Sequence, residues 1–335
     1  MLITPYYASL IRMADFSDPI YAQCVPQEAE CESVPWLGKD PLEEQGQSPV
    51  EGMFRRYPDR ALVLASRCCA VKCRHCMRRR IQEGAQNEKG KMKNGKCNSS
   101  SPILHSSFSI LHSSLLDGWC SYLRSHPEIK EVLISGGDPL LLETRELDQL
   151  LARLRAVRSV EILRIATRIP VVLPQRITAH LAHKIARHAP VYLNTHFNHP
   201  REVTPEAERA LALLANAGIP LGNQTVLLRG VNDDPLVIED LCRRLLRNRV
   251  RPYYLFQCDL VEGTEHFRTP LKRGLDIMAH LRGRLSGLAI PHFALDTPAG
   301  GKVELLPETV VEHDGTHTLL RTPTGKIWDY PEPSR

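Results

Sequence analysis

The sequence lacks what a membrane or exported protein carries. No run of 18 apolar residues occurs in its 335, and the N-terminus MLITPYYASLIRMADFSDP has no basic start followed by a sustained apolar stretch. Neither a membrane span nor export is expected, and a cytoplasmic location is the default. Charge of one sign is also scarce. Lys plus Arg number 43 against Asp plus Glu 38, a formal +5 that is too mild to demand nucleic acid, and no basic module interleaved with aromatics accompanies it. Ten cysteines are too sparse for a disulfide scaffold and read as thiols or metal ligands in a reducing compartment. No GxGxxG follows the first apolar run, which weakens a dinucleotide-binding reading. What is present, 42% hydrophobic and 24% charged residues, excludes disorder as the main state.

Residues 1–58 read as an irregular N-terminal segment that wraps the rest, because Pro19, Pro26, Pro35, Pro41 and Pro49 interrupt any helical period. From Ala61 short apolar runs alternate with helically spaced stretches. The runs are ALVLAS (61–66), EVLISGG (131–137), VEILRIAT (160–167), VYLNTHF (191–197), LGNQTVLL (221–228), PYYLFQCDL (252–260) and PHFALD (291–296). Between them apolar residues recur at helical spacing, as at Leu147, Leu150, Leu151 and Leu154. Strands that are apolar throughout and joined by helices suit a parallel α/β sheet buried on both faces, as a barrel or a doubly wound sheet. Asp138, Arg168, His196, Asp259 and Asp296 all fall at the C-terminal ends of such runs, the rim where a parallel barrel assembles an active site. Residues 84–116 are polar and Ser-rich with ILHSS twice, and read as a disordered surface insertion in which Cys97 is an unremarkable thiol.

The strongest motif is Cys69-Ala-Val-Lys-Cys73-Arg-His-Cys76, directly after the first run: three thiols on one loop can hold a 4Fe-4S cluster and leave one iron free. Zinc completed by His75 or Cys68 is the competing reading, weakened by the absence of a second CxxC-type pair. The CxxxCxxC spacing resembles the radical S-adenosylmethionine superfamily, whose free iron chelates the cofactor's amino and carboxylate groups. Ser135, Gly136, Gly137 and Asp138 close the next run and match the superfamily's edge against the amino group of S-adenosylmethionine. The fold so implied is a radical SAM-type partial (β/α)6 barrel over residues 59–302, with a short C-terminal tail at 303–335.

The blocks YPDRALVL, CRHCMRRR, LISGGDPLLL, RIPVVLPQRIT, LNTHFNHP, GIPLGNQTVLLRGVND, RPYYLFQCDL and HFRTP together resemble the lysine 2,3-aminomutase family. The resemblance implies an isomerase that uses S-adenosylmethionine, a 4Fe-4S cluster and pyridoxal phosphate to turn L-lysine into β-lysine through a 5′-deoxyadenosyl radical. It places the cluster on Cys69, Cys73 and Cys76 and pyridoxal phosphate on Lys302, with Arg56, Tyr57 and Arg60 as contacts of that cofactor. His75, His196 and Gln224 match residues lining the S-adenosylmethionine site. Arg78 matches the residue that holds the substrate carboxylate, and Asp259 with Asp296 match the pair that holds the far ammonium. Two acids at neighbouring strand ends are costly unless a cation lies between them, and a lysine side chain supplies one. A flavodoxin- or ferredoxin-type electron donor is implied as partner. Long family members carry a C-terminal extension with a zinc site; Asp234 stands where they have a zinc-ligand cysteine, so no structural zinc and a looser or different homo-oligomer are expected. The alternatives are the same chemistry on another amino acid or on carrier-bound lysine, and a non-catalytic iron-sulfur protein.

Overall fold

The sheet is built in chain order, and the N-terminal segment braces it from outside. The computed structural model describes residues 1–80, 113–297, 301–306, 310–313, 317–321 and 326–331. Two short helices, α1 (Pro5–Ala8) and α2 (Pro19–Cys24), each start with proline behind a capping side chain, Thr4 and Asp18. Tyr7, Ile20 and Cys24 are fully buried in the main core, and the segment touches the cysteine loop directly: Lys72 N donates to Leu2 O at 3.0 Å and Arg74 N to Gln23 O at 2.9 Å. Residues 53–57, expected to be irregular, instead form strand β1 (Met53–Tyr57), which turns at Pro58-Asp59 and pairs antiparallel with β2 (Arg60–Ser66).

From β2 onward six helix-bearing crossovers follow, through α3 (Ser113–Ser125) to β3 (Glu131–Gly136), and α4 (Thr144–Arg155) to β4 (Ile162–Ala166). After β4 come α5 (Ile169–Val172) and α6 (Ala179–Ala186), then β5 (Val191–Thr195), α7 (Pro205–Asn216), β6 (Leu221–Leu227), α8 (Pro235–Arg247), β7 (Val250–Gln257), α9 (Leu271–Leu281) and β8 (His292–Thr297). β2 to β8 are all parallel neighbours in sequence order. Six βα units followed by a seventh strand make the partial (β/α)6 barrel that was expected. The helical spacing is borne out too: Leu147, Leu150, Leu151 and Leu154 of α4 are at most 1% exposed. Ser113–Leu116, placed by the sequence reading inside an insertion, are instead the first turn of α3, whose apolar stripe buries Leu116 with Trp119 and Leu123. The rest of that expected insertion, with Cys97, lies outside the described residues.

One face of the strands differs from expectation. Val63, Val132, Ile134, Leu163 and Ile165 face the helices and are fully buried, but their alternates, among them Arg164, Gln224 and Tyr254, line an interior cavity. The inner face is therefore mixed and partly polar, because it borders a pocket and not a second hydrophobic layer. β9 (Gly301–Glu304) returns antiparallel to β8, so Lys302 sits on a strand, opposite Asp296 in the register. Beyond it the expected tail holds a three-stranded meander, β10 (Val310–His313), β11 (His317–Arg321) and β12 (Ile327–Pro331). The edge strands β1 and β9 meet through side chains: Lys302 N donates to the Tyr57 hydroxyl at 3.1 Å, and Arg56 Nη2 donates to Thr297 O next to β9.

Candidate active site

All seventeen site residues expected from the sequence line one cavity of about 360 Å³ at the C-terminal ends of the parallel strands. The convergence follows from topology, since consecutive parallel strands present their C-terminal ends to the same side.

The cysteine loop starts where β2 ends. Burial pushes the thiols of Cys69 and Cys76 up, Cys76 to about 11, so both keep their protons until a metal's positive charge displaces them. Among the described residues no three His, Cys, Asp or Glu side chains converge on a single ion; a four-iron cluster ties each thiolate to its own iron and needs a wider spread. Arg168 Nη1 donates to Cys73 Sγ at 2.7 Å. His75, inside the loop, has Asn198 Nδ2 at 3.2 Å from its Nε2 and no partner for its buried Nδ1. Burial, then Arg168, lowers its pKa well below the usual value, so the ring is neutral. His196 is drawn down to about 4 by burial and by Arg168.

The glycines after β3 have a different first task from the one expected. A Cβ on Gly136 would strike the carbonyl of Ser66, and one on Gly137 the carbonyl of Cys68. Gly136 also holds φ 119°, closed to other residues. Gly137 N bonds Ser66 O at 2.5 Å and Asp138 N bonds Cys68 O at 2.7 Å, so the glycines dock the end of β3 against the root of the cysteine loop. Asp138 is buried and pushed up to about 6 by that burial. Its oxygens accept from Thr167 Oγ1 (2.7 Å), Arg168 N (2.7 Å) and Leu140 N (3.0 Å), which anchors the end of β4.

At the other side of the cavity Lys302 Nζ bonds Asp296 at 3.0 and 3.2 Å and lies 4.2 Å from the Phe256 ring and 4.8 Å from the Tyr254 ring. Burial lowers the lysine's pKa and Asp296 partly restores it. Asp259 is pushed up to about 7, first by burial and then by Asp296. Arg56 reaches the same region with a buried Nε that has no partner, while Arg60 lies over Tyr57 at 4.5 Å, paired with Asp59 at 3.0 Å. Arg78 has a partner of its own: Glu44 binds its guanidinium at 2.6 Å, with only 5% of the Glu44 side chain exposed, and binds Arg80 at 2.7 Å as well. Glu44, Tyr254 and Phe256 escaped the sequence reading. The two rings carry a signal in hindsight, as alternate aromatic residues on β7, which ends two residues before Asp259. Glu44 carries none, since it lies 34 residues from its partner in a segment without periodicity.

The chain is 45% identical over 334 residues to an L-lysine 2,3-aminomutase of Clostridium subterminale, spanning 99% of this chain and 75% of that protein. It belongs to the lysine 2,3-aminomutase family. The family model described as Lysine-2,3-aminomutase matches residues 278–335. A glutamate 2,3-aminomutase of Clostridioides difficile is 41% identical, over 97% of this chain and 72% of that one. A solved radical SAM methyltransferase from Sphaerobacter thermophilus aligns with TM-score 0.48 and 16% identity over 75% of this chain and 72% of that one, too loose a likeness to argue from.

The residues present fit the cofactors of an aminomutase of this family. The three thiols of Cys69, Cys73 and Cys76 line the cavity from one loop, and thiolates are the ligands an iron-sulfur cluster takes. His75 Nδ1 and Arg56 Nε are buried polar atoms without a partner on residues that line the cavity, where a bound ligand would satisfy them. The amine that an aldehyde cofactor requires stands against two acids.

Proposed function

We propose that this protein exchanges the α-amino group of L-lysine with a β-hydrogen to give β-lysine. The observation that carries the reading is the acid pair Asp259 and Asp296 in one cavity with Lys302, Arg78 and the three cysteines. A 4Fe-4S cluster on Cys69, Cys73 and Cys76 and S-adenosylmethionine supply the radical that removes the β-hydrogen, and pyridoxal phosphate carries the amine that moves.

The chain's own part is positioning and shielding. Lys302 is fixed beside the cavity by the hydrogen bond from its backbone N–H to the Tyr57 hydroxyl and is the residue to hold pyridoxal phosphate. Arg56, with Arg60, is placed for the phosphate, where guanidinium forks fit phosphate oxygens. Arg78, aimed by Glu44, takes the substrate carboxylate, and Asp259 with Asp296 takes the ammonium at the far end. His75, His196, Gln224 and the Ser135–Asp138 edge surround the S-adenosylmethionine side; the two histidines are neutral there, so they add no repulsion to the sulfonium. Phe54, Leu62, Leu133, Val226 and Phe256 give the cavity apolar walls that keep water from a radical.

A glutamate side chain would bring a third carboxylate against Asp259 and Asp296, which favours lysine over the substrate named for the Clostridioides relative. A low-potential electron donor of flavodoxin or ferredoxin type, a cytoplasmic location and a homo-oligomer complete the reading. The test is an anaerobic assay of the reconstituted protein offered L-lysine or L-glutamate. β-Lysine from the first and nothing from the second is expected; a β-amino acid from glutamate in place of lysine overturns it.

A further inference from the structure

Arg168 stands just past β4, 8% exposed, with its guanidinium held on both sides. Nη1 donates to Cys73 Sγ at 2.7 Å. Nη2 donates to Gln23 Oε1 at 2.7 Å, Glu202 Oε1 at 2.8 Å and the Tyr7 hydroxyl at 3.0 Å. Glu202 is fully buried and is itself fixed by the Tyr7 hydroxyl at 2.6 Å and the amides of Asn198 and His199 at 2.6 and 3.0 Å. Asp138 clamps the backbone of Arg168 from behind. Such a pair adds little to stability compared with an apolar replacement. What it does provide is one fixed cation and one N–H donor on the sulfur of a cluster cysteine.

We propose that Arg168 is a positioning residue that raises the reduction potential of the cluster by donating its Nη1–H to the Cys73 thiolate, with Glu202 aiming it. The proposal rests on the family reading above. Reduction adds one electron, delivered by the external donor, to the cluster and its thiolates, and no proton moves. A cation and an N–H dipole fixed on one sulfur stabilise the more negative, reduced form. Asn198 extends the same network to the loop itself, donating to Gln23 Oε1 at 3.0 Å while facing His75.

The test is an EPR-monitored redox titration of the reconstituted holoenzyme without substrate, which makes it independent of turnover. Arg168→Met combined with Glu202→Gln removes both charges of the buried pair, so neither is left uncompensated; Arg168→Lys keeps the charge and loses the fork. In the double variant, carrying its full iron, the ratio of reduced to oxidised cluster at a fixed potential is expected to fall about tenfold, or about 59 mV for one electron. Arg168→Lys is expected to fall between it and the wild type. An unchanged potential overturns the proposal, and so does loss of iron without a change of potential in the cluster that remains. Should the substitutions prevent folding, the wild type decides: exchange into D2O must change a proton coupling of the reduced cluster, and an unaltered spectrum overturns the proposal. A shifted potential in protein that isomerises no amino acid would leave this inference standing while the function reading falls.

Discussion

Lys302 Nζ stands 3.0 Å from Asp296 Oδ2. The amine placed for the aldehyde cofactor is thus held by one of the two acids placed for the substrate's ammonium. The same carboxylate that keeps Lys302 charged opposes its attack on an aldehyde, which needs the free amine. Asp296 raises the pKa of Lys302 against the lowering by burial. Asp296→Asn therefore shifts the onset of pyridoxal phosphate loading to lower pH, read as cofactor absorbance against pH. Borohydride trapping should label Lys302, and Lys302→Ala should abolish the label and cut turnover by roughly 10³-fold.

Asp259 gives a pH dependence of stability. Its folded value of about 7 lies above the ordinary carboxyl range, so the folded chain holds this proton more tightly than the unfolded chain. Stability contributed by the bound proton is then lost as pH rises from about 4 to about 7. Without ligands, Asp259→Asn should gain stability relative to wild type between pH 5 and pH 8, by at most about 3 kcal/mol. Denaturant midpoints at the two pH values check this, and equal differences at both would contradict it.

Glu44 is expected to act through Arg78. Glu44→Gln leaves Arg78 and Arg80 without their shared carboxylate, at a cost on the order of 3 kcal/mol for a buried pair. With the guanidinium no longer aimed, KM for lysine should rise about tenfold while kcat changes less. Equal loss in both parameters, or none, would assign Glu44 a purely structural role.

Gly137→Ala tests the docking of β3 on the cysteine loop. A Cβ there meets the backbone of Cys68, which cannot yield as a side chain would. The variant should hold less iron after reconstitution and melt lower than wild type.

Much of this was legible in the sequence. The barrel could be read because each parallel strand carries a run of apolar residues on its helix-facing side and the crossover helices carry stripes at helical spacing, as α4 does with its four leucines. The rim residues could be read because a strand end is a position in the chain. What could not be read was contact made across long separations. Glu44 meets Arg78, and Glu202 meets Arg168 and Tyr7, by folding alone, and no local pattern records such pairs. Gly136 and Gly137 were legible as a backbone approach, but not that the approach is to Ser66 and Cys68. β1 was missed because MFRRY is short and gains its place by pairing with β2 and by the reach of Tyr57 to β9.

The central claim is that one cavity unites radical generation with amine migration on lysine. The most direct measurement follows β-lysine and S-adenosylmethionine together, in an anaerobic reaction of the reconstituted protein with L-lysine, pyridoxal phosphate and a low-potential reductant. Many turnovers of β-lysine with little net loss of S-adenosylmethionine are predicted. Consumption of S-adenosylmethionine without any β-lysine would contradict the account.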